Sequence, residues 1–301
     1  MPEAPEVETT RRIVEQELTG LSIRRAEVRL PKLLRLSEIP SLQTLAGHTV
    51  LGARRRAKLL IVDFSGDLTL IVHFKLAGQL SVHRPTGRRA TAGHPVPKPD
   101  GPYPHKSTHI DLVFDDGTVA YLSDIRQFSW LRLMPSGNVD AAIADFAFGP
   151  EAAGENRITA QQLAAGLKRR SIPVKLALLD QGLVAGIGNI YADEALHRAR
   201  VHPVTPANAL PRRAVNRLWE GIDWALGRGL EQGGAKIVHQ KAFPIDGFPA
   251  VHGREGDLCP ICGTAVRKTK IGTRGTYFCP KCQKKRGGIL ISRDSGKSQP
   301  A

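Results

Sequence analysis

Cysteine is scarce in this chain: there are four among 301 residues, all between positions 259 and 282. None is left to build a disulfide framework elsewhere, which points to a reducing compartment. Long apolar runs are missing as well. No stretch approaches the ~20 residues that a bilayer-spanning helix needs. The first residues are acidic, where a signal peptide would be basic and then apolar. The expected location is therefore cytoplasmic. Negative charge is also in deficit, with 28 Asp and Glu against 43 Lys and Arg, a formal net charge of +15. Such a surplus favours a polyanionic partner, nucleic acid or anionic membrane, and does not by itself choose between them.

What is present is ordered along the chain. Glu3, Glu6 and Glu8 suit the positive end of a helix dipole, Val7, Val14 and Leu18 recur at helical spacing, and Gly20 supplies a stop. Strands follow at about 23–28, 49–51, 59–64, 68–74, 109–114, 118–122 and 129–134. Ser65-Gly66-Asp67 and Asp115-Asp116-Gly117 stand between apolar runs as hairpin turns do. This rhythm predicts a sandwich or barrel, not a doubly wound sheet. Residues 83–107, rich in Pro, Gly and Arg, read as a long mobile loop. Small residues at 135–156 read as a linker, and helices are expected at 161–169, 174–180 and 190–198. Pro211 opens a further helix whose buried stripe is Val215, Leu218, Trp219, Ile222, Leu226 and Leu230. Its tryptophans read as core and not as a base-stacking platform. Residues 286–301 read as a disordered basic tail.

Two features of the second half carry chemistry. Cys259-Pro-Ile-Cys262 and Cys279-Pro-Lys-Cys282 are two knuckles sixteen residues apart. Thiolates on two tight turns close a tetrahedron around zinc, and four protein ligands leave no open position, so one structural Zn2+ is expected. Arg267, Lys268, Lys270, Arg274, Lys281, Lys284, Lys285 and Arg286 surround them, either a solvated face or a nucleic-acid contact. The second feature is the stretch 181–194, in which glycines at 182, 186 and 188 interrupt an apolar run before a helix. Exposed amides leading into a helix N-terminus suit a phosphate. Asn189 could cap that helix, contact the phosphate, or do both. No Walker lysine and no preceding strand accompany the glycines, which disfavours nucleotide binding.

The chain starts Met1-Pro2-Glu3-Ala4-Pro5-Glu6-Val7-Glu8. Trimming of Met1 would leave Pro2 as the amino terminus. An α-amino group with a pKa of about 7.7–8.0 is partly neutral and nucleophilic at cellular pH. Such amines form Schiff bases with electrophilic carbon, and Glu3 beside it could carry the proton.

In its motifs the sequence resembles the bacterial formamidopyrimidine-DNA glycosylases, bifunctional base-excision repair enzymes of the Fpg/Nei superfamily, from residue 2 to about residue 283. The resemblance rests on the Pro-Glu-x-Pro-Glu-Val-Glu start, Arg55-Arg56-Ala57-Lys58, Asp124-x-Arg126-x-Phe128 and Gly149-Pro150-Glu151. Further matches are Gly188-Asn189-Ile190-Tyr191-Ala192, Glu231-Gln232-Gly233-Gly234, and the finger with Arg274 and Cys279-Pro280-x-Cys282-Gln283. It implies a multidomain α+β fold: an N-terminal β-sandwich with an N-terminal helix (1–134), a linker (135–156), a helix–two-turn–helix domain (157–248) and a four-cysteine zinc finger (249–285).

It also implies a mechanism. A damaged nucleotide of double-stranded DNA is flipped out of the stack, Pro2 attacks its C1′ and forms a Schiff base, and Glu3 moves protons. β- and δ-elimination then cut the strand. Lys58 and Arg274 match the residues that assist elimination, and Asn189, Arg170 and Lys175 match positions that hold DNA backbone. Arg126 and Phe128 match residues that fill the gap left by the flipped base, although a strand-end core aromatic is the plain alternative for Phe128. A monomer associated with the nucleoid, with no membrane partner, goes with this picture.

Departures from the family pattern bear on substrate. Where His-x-Gly-Met-Ser-Gly is usual, this chain has His73-Phe74-Lys75-Leu76-Ala77-Gly78, so the wedge is Leu76 and Lys75 is unexpected. Ser107 stands where a DNA-contacting histidine is common, and Gln127 where a second arginine is. Residues 235–251 look shorter than the family's loop over 8-oxoguanine. Formamidopyrimidines or oxidised pyrimidines are then favoured over 8-oxoguanine. An endonuclease VIII-like enzyme and a non-catalytic damage-binding protein are the competing readings.

Overall fold

The computed structural model describes residues 2–94, 101–154, 156–235 and 247–285. Helix α1 (Ala4–Glu17) carries Pro5 in its first turn, where a missing N–H costs nothing, and is tied by a bond from the Glu3 backbone N–H to Glu6 Oε2 at 2.8 Å. It packs Val7 and Val14 onto a sandwich of two antiparallel sheets. One sheet runs β1 (Ile23–Val28), β7 (Thr108–Phe114), β8 (Val119–Asp124), β5 (Gly78–His83), β6 (Arg89–Gly93). The other runs β2 (Val50–Arg56), β3 (Leu59–Phe64), β4 (Leu68–His73), β9 (Trp130–Pro135).

The unbroken apolar run of β3 follows from its place between two cores. Leu60, Val62 and Phe64 face the sandwich interior with Leu70, Ile110 and Leu122. Leu59 and Ile61 point the other way, onto Trp130, Met134 and the short helix α2 (Val139–Ala144). A period of two with both faces covered reads as continuous hydrophobicity.

Two expectations are corrected here. The stretch 83–107 is not loop throughout: β6 lies within it, and Gly87 at φ +86° closes the hairpin that returns the chain from β5. Residues 95–100 of that stretch lie outside the described residues, as do most of 235–251 and the tail 286–301. The linker of small residues contains α2 and, at Glu151, a structural hub described below.

The helical region holds α3 (Ala160–Lys168), α4 (Val174–Leu179), α5 (Asn189–Ala199) and α6 (Arg212–Glu231). Thr159 and Gln162 form a capping box on α3, with bonds of 3.1 and 2.9 Å. Helix α6 follows Pro211 and buries Val215, Leu218, Ile222 and Leu226 against α5. Trp219 is half-buried, donates its indole N–H to Ile158 O at 2.7 Å, and carries the Arg157 guanidinium over its ring. It belongs to the packing, as its position in the stripe predicts. The finger is the hairpin β10 (Arg267–Ile271) and β11 (Arg274–Phe278) with the four cysteines at one end. Among the described residues no helix is long and apolar enough to cross a membrane.

Candidate active site

Pro2 and Glu3 are buried where the sandwich meets the start of α5. Glu3 Oε1 accepts the Ile190 N–H at 3.0 Å, so its carboxyl occupies the orphan donors of that helix N-terminus. The neighbouring backbone closes the fit, with Ala4 N–H donating to Gly186 O at 3.0 Å. A Cβ on Gly188 would stand 2.3 Å from Glu3 Cδ, so only glycine admits the carboxyl there. The glycine-rich stretch thus receives a carboxyl from this chain's own terminus. Burial holds the Glu3 carboxyl above the usual range; the Lys58 charge and the Ile190 N–H oppose that rise, and Glu6 adds to it. Glu6 is itself held by the Tyr191 hydroxyl at 2.7 Å and the Ala235 N–H at 2.6 Å. The sequence reading missed this Glu6–Tyr191 pair, whose partners are 185 residues apart.

Lys58 arrives beside them through the Arg55-Arg56-Ala57 segment. Arg55 and Arg56 both grip Glu151, at 2.7 and 2.5 Å, and the Ala57 N–H donates to the same carboxylate at 2.7 Å. With Ala57 at φ +52°, β2 ends in a tight reversal that turns Lys58 inward. The family motifs at 55–58 and 149–151 are therefore two halves of one clamp. Burial pushes the Lys58 ammonium below the usual lysine range, and the Arg274 charge adds to this while Glu3 and Glu6 resist it. Burial thus disfavours the charged form of both groups, the kind of perturbation that gathers at functional sites. The guanidinium of Arg274, at the start of β11, is exposed and makes no hydrogen bond or ion pair to a described residue.

A loop between β8 and β9 forms one rim. The buried Asp124 carboxylate accepts the N–H groups of Arg126, Phe128 and Ser129 at 2.9, 2.9 and 2.7 Å, and the Ser129 hydroxyl at 2.7 Å. Collecting those donors holds Gln127 at φ +56° and leaves Phe128 49% exposed, with the Arg126 guanidinium over its ring at 5.3 Å. The core-aromatic alternative for Phe128 fails on that exposure. Leu76 is half-buried in the turn between β4 and β5. Ser107 is only 8% exposed, and it works through its backbone, its carbonyl accepting the Asp124 N–H at 2.9 Å. It offers little surface to a ligand.

Three expected backbone-holding residues are engaged within the protein. Lys175 is fully buried, and its three ammonium hydrogens are taken by Asp193 Oδ1 at 2.7 Å, Thr276 Oγ1 at 2.8 Å and Gly275 O at 3.0 Å. Expected at a position that holds DNA backbone, Lys175 here fastens the finger hairpin to the helical domain. Arg170 donates to Gly166 O and Asp180 Oδ2 at 2.8 and 2.7 Å, and its remaining hydrogens stay available. Asn189 is half-buried and gives one Nδ2 hydrogen to Gly275 O at 3.0 Å, leaving a second hydrogen for an anion.

The rest of α5 grips the finger. Glu194 accepts the N–H groups of Ala250, Val251 and His252 at 2.7–2.9 Å, and Asp193 Oδ2 accepts from His252 Nδ1 at 2.7 Å and the Tyr277 N–H at 3.2 Å. Gln283 ties the second knuckle to Val201 O at 2.9 Å. The four Sγ atoms lie within 4.8 Å of one another, with Cys259–Cys282 at 3.9 Å and Cys262–Cys279 at 3.4 Å. Zinc–sulfur bonds of about 2.3 Å place tetrahedral sulfurs about 3.8 Å apart, so the donor set fits zinc.

Comparison with known proteins agrees with this geometry. The formamidopyrimidine-DNA glycosylase N-terminal domain matches residues 1–131, the H2TH domain of the same enzymes matches 148–241, and the zinc finger found in FPG and IleRS matches 256–285. A formamidopyrimidine-DNA glycosylase of Pelotomaculum thermopropionicum is 38% identical over 290 residues, covering 94% of this chain and 99% of its own. Among solved structures, a Lactococcus lactis FPG variant bound to Fapy-dG DNA superposes with a TM-score of 0.81 at 32% identity. The Lactococcus lactis Fpg complex with abasic-site DNA does so at 0.81 and 31%; each match covers 94% of this chain and 100% of the other. With the terminal Glu3, the Glu151 clamp and the four-cysteine finger all in place, the chain belongs to the formamidopyrimidine-DNA glycosylase family.

Proposed function

We propose that the chain is a bifunctional glycosylase and abasic-site lyase that excises formamidopyrimidine lesions from duplex DNA. The observation that carries this is the buried Glu3 carboxyl, set on the α5 N-terminus beside Pro2 and within the field of Lys58. With Met1 removed, the Pro2 nitrogen attacks C1′ of the flipped nucleotide. The glycosidic bond breaks, the base leaves with a proton, and ring opening with loss of the amine proton leaves an iminium. Glu3, whose carboxyl burial pushes above the usual range, supplies and recovers these protons. The iminium acidifies C2′–H, and successive loss of the 3′ and 5′ phosphates cuts the strand on both sides.

Lys58 and Arg274 would bind the phosphates that leave, and Asn189 would offer its free amide hydrogen to a third. Arg126, Phe128 and Leu76 would occupy the space vacated by the flipped base. One structural zinc ion and a monomeric, cytoplasmic, nucleoid-associated enzyme complete the reading. The DNA in the Lactococcus lactis complexes, carrying Fapy-dG or an abasic site, supports the substrate class.

Borohydride trapping on duplexes carrying an abasic site, Fapy-dG or 8-oxoguanine tests it, with the adduct mapped by mass spectrometry. An adduct on Pro2 with the abasic and Fapy-dG duplexes is expected, with slower capture on 8-oxoguanine. Absence of adduct with all three, from protein lacking Met1, would leave a DNA-binding protein without this chemistry.

A further inference from the structure

Lys75 stands in the turn between β4 and β5 at φ +48°, a left-handed conformation that a side chain adopts at a cost and that glycine takes freely. It is half-buried, and its ammonium forms no hydrogen bond or ion pair with any described residue. What surrounds it is cationic or apolar. Arg35 lies close enough to disfavour its charge, Nζ sits over the Trp130 ring at 6.0 Å from its centroid, and no carboxylate of a described residue pairs with it. The turn is pinned by the Lys75 N–H, which donates to His73 Nδ1 at 2.9 Å. Burial holds the His73 ring neutral, its pKa down to about 3, and the charges of Lys75 and Lys58 add to that. A strained backbone and a partly desolvated cation with no ionic partner among the described residues, held only by an aromatic face, are both unfavourable in the free protein. Such features persist where they serve a ligand, and a ligand that relieves this one must be an anion.

We infer that Lys75 grips a backbone phosphate of the bound DNA adjacent to the one taken by Lys58, adding an electrostatic contact to the wedge turn. This rests on the proposed DNA-processing role of the site. It assigns Lys75 to binding, not to the chemical step.

The test is a fluorescence-anisotropy titration of the full chain with a duplex carrying a tetrahydrofuran abasic analogue, at salt from about 50 to about 200 mM. Each phosphate contact contributes about 0.9 to the slope of log K against log salt. Lys75→Gly and Lys75→Asn, both compatible with the left-handed turn, should each flatten the slope by about that amount. Their affinity should then fall about 3-fold less than that of wild type across the range. Lys75→Arg should restore the slope. Lys75→Gly should also melt at least as high as wild type, since the strain is relieved. Unchanged slopes in both neutral variants would overturn the inference, and so would a lower melting temperature for Lys75→Gly, which would make the lysine a structural residue. Borohydride trapping by the wild-type chain judges the parent reading separately.

Discussion

Replacing Asp193 by Asn keeps the shape of the side chain and removes its charge at the point where the finger is fastened. Asp193 Oδ1 faces the Lys175 ammonium at 2.7 Å with both groups at 0% side-chain exposure, while Oδ2 collects His252 Nδ1 and the Tyr277 N–H. An asparagine carbonyl directed at Lys175 would turn its NH2 toward the Tyr277 N–H, which also donates, and would require the other tautomer of His252. The lysine would keep its neutral acceptors, Thr276 Oγ1 and Gly275 O, but lose the countercharge bonded to it. Breaking one side of a buried pair costs about 3–5 kcal/mol. Burial already holds the Lys175 pKa below the ordinary 10.5, with Asp193 opposing the fall, so its loss lowers the pKa further.

The unfolded lysine then carries a proton that the folded one gives up, and the folded variant gains stability as pH rises toward 10.5. Urea unfolding followed by tryptophan fluorescence at about pH 7 and about pH 9.5 should show a deficit that narrows at the higher pH. A deficit under about 1 kcal/mol at neutral pH, or one that does not change with pH, would refute the assignment of Lys175 as a buried fastening.

Three further outcomes are expected. Phe128→Ala should leave stability within about 0.5 kcal/mol, because the ring is half exposed, yet weaken binding to an abasic duplex by about 1–3 kcal/mol, read by anisotropy. Gly188→Ala places a methyl against the Glu3 carboxyl; a displacement of about 1 Å there should slow trapping about 100-fold, while circular dichroism shows the fold retained. Stripping zinc with a chelator should abolish duplex binding as the finger loosens, with the β-sandwich signal unchanged and binding restored on adding Zn2+.

Strand 59–64 is legible to the residue because a turn follows a run of which all but Asp63 is buried, and 23–28 because apolar Ile23, Ala26 and Val28 alternate with charged residues even though only Ile23 is fully buried. Strands β5 and β6 are not. The first mixes Gly, Gln, Ser and His with two apolar residues, and the second is an edge of small residues with only Ala92 buried. Their strand character comes from neighbours in the sheet, which a local window does not contain. At the site, Pro2, Glu3, Lys58, Arg274 and the four cysteines stand out by residue type and motif. The fate of Lys175 does not, because lysine is ordinarily exposed and its partners lie 18 and 101 residues away. For the same reason Glu151 reads as linker when it is the acid that binds two arginines.

The carboxyl of residue 3 is seated by amides around residue 190, and this has a consequence for the chain during its synthesis. At about 5–20 residues per second, roughly 10–40 s separate the emergence of these two segments from the ribosome. Until the later one folds, Glu3 has no helix end to rest on, and the terminal amine has no aligned acid. If Pro2 and Glu3 act as proposed, the seating delays that chemistry until the helical domain has folded.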